Sequence, residues 1–168
     1  LGDTRCNFTC CDTTFRIHAT GVRADAAVTA AQETVESLEA QLNAFDSSSS
    51  VSQLNRDGEV TNEHVARIIR RGLEYNDRTE GVFDIHQGRV EQDLKAFLRG
   101  DSETPATSFD TGTVRVRGSH VTTDVKLDLN GLAKGYIVDR AGETLAGCGR
   151  RGFVSGGGDM SPPTGPVA

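Results

Sequence analysis

The chain has 168 residues, with 18 basic against 24 acidic side chains for a formal charge of −6, and is 36% hydrophobic with no tryptophan. That length supports a single domain with its own core. The acidic balance argues against a nucleic-acid-binding surface, and no apolar run approaches the roughly 20 residues of a membrane span.

The four cysteines, Cys6, Cys10, Cys11 and Cys148, match no zinc-ligand spacing. Free thiols are the first expectation, and a bridge from the N-terminal strand to Cys148 is the alternative. Downstream of the turn-like Cys11-Asp12-Thr13, apolar Phe15, Ile17 and Ala19 alternate with Arg16 and His18. That alternation predicts a strand with His18 on its solvated face. Over residues 24–45, Ala27, Ala31, Val35, Leu38 and Leu42 recur at helical steps, predicting an amphipathic helix.

The serine run FDSSSSVSQLN, residues 45–55, has the composition of a linker. Bracketed by Phe45 and VSQLN, it is expected to be an ordered loop. Residues 63–79 form the next predicted helix, capped by Asn62 and striped by Val65, Ile68, Ile69 and Leu73. Gly81 suits the position just past its end. Val82, Phe83 and Asp84 then put an aromatic and a carboxylate into one loop. They are either a core ring and a turn acid, or a ring-stacking and ribose-binding corner. His86 has no evident partner. Residues 93–105 predict a short polar helix and loop, and residues 113–123 a hairpin about Arg117-Gly118.

Residues 125–145, VKLDLNGLAKGYIVDRAGETL, are the most informative stretch. Val125, Leu127 and Leu129 predict a short strand, Asn130-Gly131 a turn, and the rest a helix burying Leu132, Tyr136, Ile137, Ala141 and Leu145. Asp128 and Lys134 flank the turn. An ordinary βα unit and a phosphate-binding corner are both open here. An exposed Lys134 early in a helix opposes the helix dipole by roughly 0.3–1 kcal/mol, a cost that a bound anion would reverse. Residues 149–160 predict a buried strand ending in three glycines and Asp159. Together the elements predict an α/β (α+β) fold: a mixed or antiparallel central sheet flanked by helices.

VSQLN, GVFDIHQG, LDLNGLAKGYIVD and FVSGGGDM, in that order, resemble the ApbE family of flavin transferases. The resemblance covers essentially the whole chain as one domain, and LDLNGLAKGYIVD is its most specific part. It implies Mg²⁺-dependent transfer of FMN from FAD to a threonine hydroxyl of an acceptor protein, with AMP released. A non-catalytic FAD-binding protein, an FAD pyrophosphatase and a ligand-free interaction domain are the alternatives. Carried over by position, FAD would meet Phe45, Val82, Phe83, Asp84, Asp128 and Lys134, and the carbonyl of Gly131 would help hold magnesium. The family's Met-Gly-Thr falls on Cys11, Asp12 and Thr13, and its usual tyrosine on Phe45. The resemblance also implies a further segment after Ala168 that completes the metal site, and an exported or membrane-associated setting, although no signal or anchor is visible here.

Overall fold

The structure, a computed structural model, describes residues 2–105, 111–148 and 151–162. The start of the expected 149–160 strand and the tail beyond residue 162 fall outside that set. The chain divides into two compact units, Leu1–Ala40 with Ala133–Ala168, and Gln41–Leu132. Every described strand pairing is antiparallel, and the strands fall into two sheets rather than one central sheet.

The first unit holds strands β1 (Gly2–Cys10), β2 (Thr13–Gly21), β6 (Arg151–Gly156) and β7 (Asp159–Met160) in the order β1-β2-β6-β7. β1 and β2 form a hairpin closed by Cys11 and Asp12, both in the left-handed region at φ 52° and 54°. Two such residues match the right-handed twist of the flanking strands. Phe15, Ile17 and Ala19 are buried as their alternation predicts. His18 stays on the other face, with Nε2 2.9 Å from Asp3 Oδ1. Helix α1 (Ala24–Leu42) buries Ala27, Ala31, Val35 and Leu38, and helix α5 (Asn130–Gly147) buries Ile137, Val138, Ala141 and Leu145. A Thr34–Thr144 hydroxyl contact of 3.0 Å ties the two helices together.

The second unit holds β3 (Glu59–Thr61), β4 (Val114–Arg117) and β5 (His120–Thr123) in the order β3-β5-β4, with helices α2 (Ser50–Asp57), α3 (Glu63–Arg78) and α4 (Gly88–Arg99). Its buried side chains include Val51, Leu54, Val65, Ile68, Ile69, Ile85, Leu127 and Leu129. The serine run is not a loop throughout. Ser49 caps α2 by accepting from the Ser52 N–H at 3.0 Å, and VSQLN lies inside that helix. A serine tract is an ambiguous signal because the same hydroxyl that favours a loop also starts a helix. Asn62 caps α3 as expected, accepting from the N–H groups of His64 and Val65.

Gly81 is one position later than expected. Glu80 takes the left-handed step at φ 52°, while the Gly81 N–H reaches back to the Asn76 carbonyl at 2.8 Å. With Glu80 N–H on the Asp77 carbonyl at 3.2 Å, this is a Schellman closure, which makes Gly81 the C″ residue.

Residues 125–129 alternate in burial, but they form no strand. Their backbone partners come from elsewhere. Asn55 in α2 pairs with both polar groups of Leu127, donating to its carbonyl at 2.9 Å and accepting its N–H at 2.8 Å. The Gly88 N–H donates to the Lys126 carbonyl at 3.1 Å, and the Asp128 N–H to the Ile85 carbonyl at 2.8 Å. Nor does Asn130-Gly131 form a left-handed turn: α5 begins at Asn130 itself, because Asp128 Oδ1 accepts its N–H at 2.9 Å and replaces a glycine turn.

All four cysteines are free. Burial, then the neighbouring Cys11, pushes the Cys10 thiol from the ordinary 9.0 up to about 12. Only the thiolate attacks an alkylating reagent. The rate of Cys10 alkylation is therefore expected to keep rising with pH toward 12 instead of levelling near 9, and mass spectrometry should find exposed Cys148 modified first.

Candidate functional site: an aromatic and carboxylate corner in the second unit

The corner is built on the first turns of α4 and the segment leading into α5. Asp128 caps Asn130, and the Asn130 amide donates to both carboxylate oxygens of Glu91 at 3.1 and 3.2 Å. Lys95, one turn further along α4, pairs with Glu91 and sits 4.6 Å from the centroid of the Phe45 ring. A continuous line of contacts thus runs from Asp128 through Asn130, Glu91 and Lys95 to Phe45. Phe45 is 69% exposed, so the ring is held by a cation yet open to a ligand.

Burial raises the Asp128 carboxyl above the ordinary 3.8, the Asn130 N–H opposes that, and the charge and hydrogen bonding of Glu91 raise it further, with Lys95 pulling the other way. Two carboxylates side by side and partly out of water favour an added proton or an added cation.

The Val82-Phe83-Asp84 loop borders the same corner. The Phe83 ring lies 3.6 Å from where a Cβ on Gly131 would stand, and meets Tyr75 edge-on at 5.9 Å. Its carbonyl accepts from the Asn76 amide at 2.8 Å. Val82 is 89% exposed. Asp84 is engaged locally: it accepts from the His86 N–H at 3.0 Å and from Gln87 Nε2 at 2.7 Å, and lies 2.5 Å from His86 Nδ1. Burial pushes its carboxyl up, but these donors outweigh burial and hold it below 3.8. His86, without an evident partner in the sequence, has Asp84. Gln87 Oε1 is buried with no partner among the described residues. Such an orphan acceptor suits an N–H or O–H donor from a ligand.

Lys134 belongs to the first unit. It pairs with Asp159 at 3.9 Å, and its Nζ stands 3.0 Å from where a Cβ on Gly157 would be, with Thr13 Oγ1 2.9 Å from the same point. Gly157 is at φ 55°, so both space and backbone require glycine there. The structure thus brings Phe45, Val82, Phe83, Asp84, Asp128 and Gly131 together in one unit and sets Lys134 among Thr13, Gly157 and Asp159 in the other.

Sequence reasoning named neither Glu91 nor Lys95, which lie in α4. Their i, i+4 spacing was the available signal, but it also fits any exposed helix face. It also missed the structural duty of Asn55.

An open ring, paired carboxylates and an orphan acceptor thus lie in the second unit. The sequence profile of the ApbE family matches residues 3–163, and the chain belongs to that family. Among solved structures it is similar to the ApbE protein of Thermotoga maritima, at 21% identity and a TM-score of 0.79 over 99% of this chain and 60% of that one. The flavin transferase ApbE of Vibrio cholerae matches at 18% identity and a TM-score of 0.74, over 95% of this chain and 58% of that one. The Pseudomonas stutzeri flavinyl transferase ApbE, in its apo form, matches at 17% identity and a TM-score of 0.73, over 95% and 60%. These likenesses establish the fold, and the chain spans about 60% of the length of the structures it matches. No curated protein matches it.

Proposed function

We propose that this chain carries the flavin-nucleotide site of an FAD:protein FMN transferase, which moves FMN from FAD to a threonine hydroxyl of an acceptor protein and releases AMP. The observation that supports it most is the unbroken line from Asp128 to the open Phe45 ring, built from motif residues of the ApbE family and completed by Glu91 and Lys95.

In this reading the exposed Phe45 ring stacks a flat heterocycle and Val82 adds apolar cover. Phe83 stands against Gly131, where an added Cβ would make ordinary van der Waals contact with the ring. Gln87 Oε1 takes a hydrogen bond from the ligand, and Asp84 fixes the Gln87 amide. The assignment of Lys134 to the diphosphate rests on the motif alone. So does an exported or membrane-associated setting.

Magnesium takes oxygen donors, and commonly binds through one or two carboxylates with substrate phosphates and water completing its shell. The donors here fit that habit: Asp128, Glu91 and the Gly131 carbonyl would be the protein's share. Among the described residues no group of three or more acidic, histidine or cysteine side chains could hold an ion alone. When bound, the ion would offset charge on the diphosphate and on the departing AMP.

The test is to incubate the chain with FAD, Mg²⁺ and a flavin-acceptor domain and weigh the acceptor. A gain of one FMN moiety is expected. Unchanged mass with AMP released would mark a pyrophosphatase, and bound FAD without turnover a binding protein. Absence of any FAD-induced thermal shift would leave a ligand-free interaction domain.

A further inference from the structure

Cys10 has no role in the proposed flavin chemistry, and the hairpin places it beside Cys11, the position on which the family's Met falls. Cys10 ends β1 opposite Thr13, and Cys11 opens the two-residue turn at φ 52°. Their sulfurs stand 3.8 Å apart, unbridged. For a tetrahedral ion with metal–sulfur bonds of about 2.3 Å, the sulfur–sulfur edge is about 3.8 Å. We propose that Cys10 and Cys11 form a two-sulfur clip for a thiophilic divalent cation of the zinc and cadmium type.

This goes beyond the transferase reading and does not depend on it. Both side chains are half-buried, so an ion can reach the sulfurs from solvent. The Glu39 charge acts on both thiols and favours a cation, whereas Lys134 acts on Cys11 in the opposite sense. Cys6 is four residues back along β1, roughly 13 Å at strand rise, and its thiol donates to Gln32 Oε1 at 3.2 Å. The protein therefore supplies two ligands, and water or an outside donor supplies the rest. As each sulfur–metal bond forms, the thiol proton passes to buffer, and no oxidant is needed.

The test is a Cd²⁺ titration of the reduced chain, followed by the ultraviolet thiolate-to-cadmium absorption. One ion per chain is expected, with the band kept in Cys6→Ser and Cys148→Ser and lost in Cys10→Ser or Cys11→Ser at unchanged circular dichroism. Should either of the latter fail to fold, cadmium must protect both Cys10 and Cys11 of the unmodified chain from alkylation. A band that survives both substitutions, a band that follows Cys148, no band at all, or no protection would overturn the clip.

Discussion

Replacing Asn55 by alanine is expected to lower stability by about 2–4 kcal/mol. The Asn55 amide holds both polar groups of Leu127, at 2.9 and 2.8 Å, and Leu127 is 2% exposed. Truncation leaves a buried N–H and a buried carbonyl without partners, at roughly 1–3 kcal/mol each. In a domain of this size that corresponds to a fall in melting temperature of about 5–15 °C by calorimetry. Asn55→Asp keeps the acceptor but turns a carboxylate oxygen toward the Leu127 carbonyl, acceptor against acceptor, so its loss should match or exceed that of alanine. Because segment 125–129 carries Asp128, FAD retention should fall in the same order. A loss under about 0.5 kcal/mol for the alanine variant would mean that Asn55 does not strap the segment.

Gly88→Ala should disturb the same segment from the other side. A Cβ there would stand 2.7 Å from the Leu127 carbonyl carbon and oxygen and 2.9 Å from its nitrogen. Backbone atoms cannot rotate away, so either α4 or segment 125–129 must shift. Overpacking of this kind costs about 1–3 kcal/mol and occasionally more. Gly88 has φ −59°, ordinary helical backbone, so alanine gains up to about 1 kcal/mol of helix propensity against that loss. The clash is expected to win, with urea unfolding midpoints reporting it. Gly135→Ala is the contrast: nothing lies within 4 Å of its Cβ position, and it lies inside α5. It should hold or raise stability by about 0.5–1 kcal/mol. Gly88→Ala as stable as wild type would contradict the packing described here.

The helices of strong period were legible in the sequence because their apolar spacing and caps agree: α1 is expected through residue 45 and ends at Leu42, and α3 starts at Glu63 behind Asn62. The β4–β5 hairpin was equally plain, with Gly118 at φ 59° in its turn. The VKLDL stretch misled for a definable reason. Alternating burial is a property of extended backbone, and period alone cannot say whether its partner is another strand or the amide of Asn55 and the start of α4. The candidate site was legible only where the family motif named a residue. Motif spacing placed Phe45 and Asp128 in one site, but Glu91 and Lys95, which connect them, carry charges that any exposed helix would carry. The division of the chain into two units followed from no composition change, because α1 and α5 run across both boundaries.

The central claim is that the Asp128 corner holds FAD. Calorimetric titration of FAD with Mg²⁺ into wild type, Asp128→Ala and Phe45→Ala, alongside their melting curves, addresses it most directly. Wild type should bind saturably, and each variant should bind at least about tenfold more weakly, a loss of about 1.4 kcal/mol, while melting within a few degrees of wild type. FAD bound equally well by all three proteins, or by none, would contradict the account.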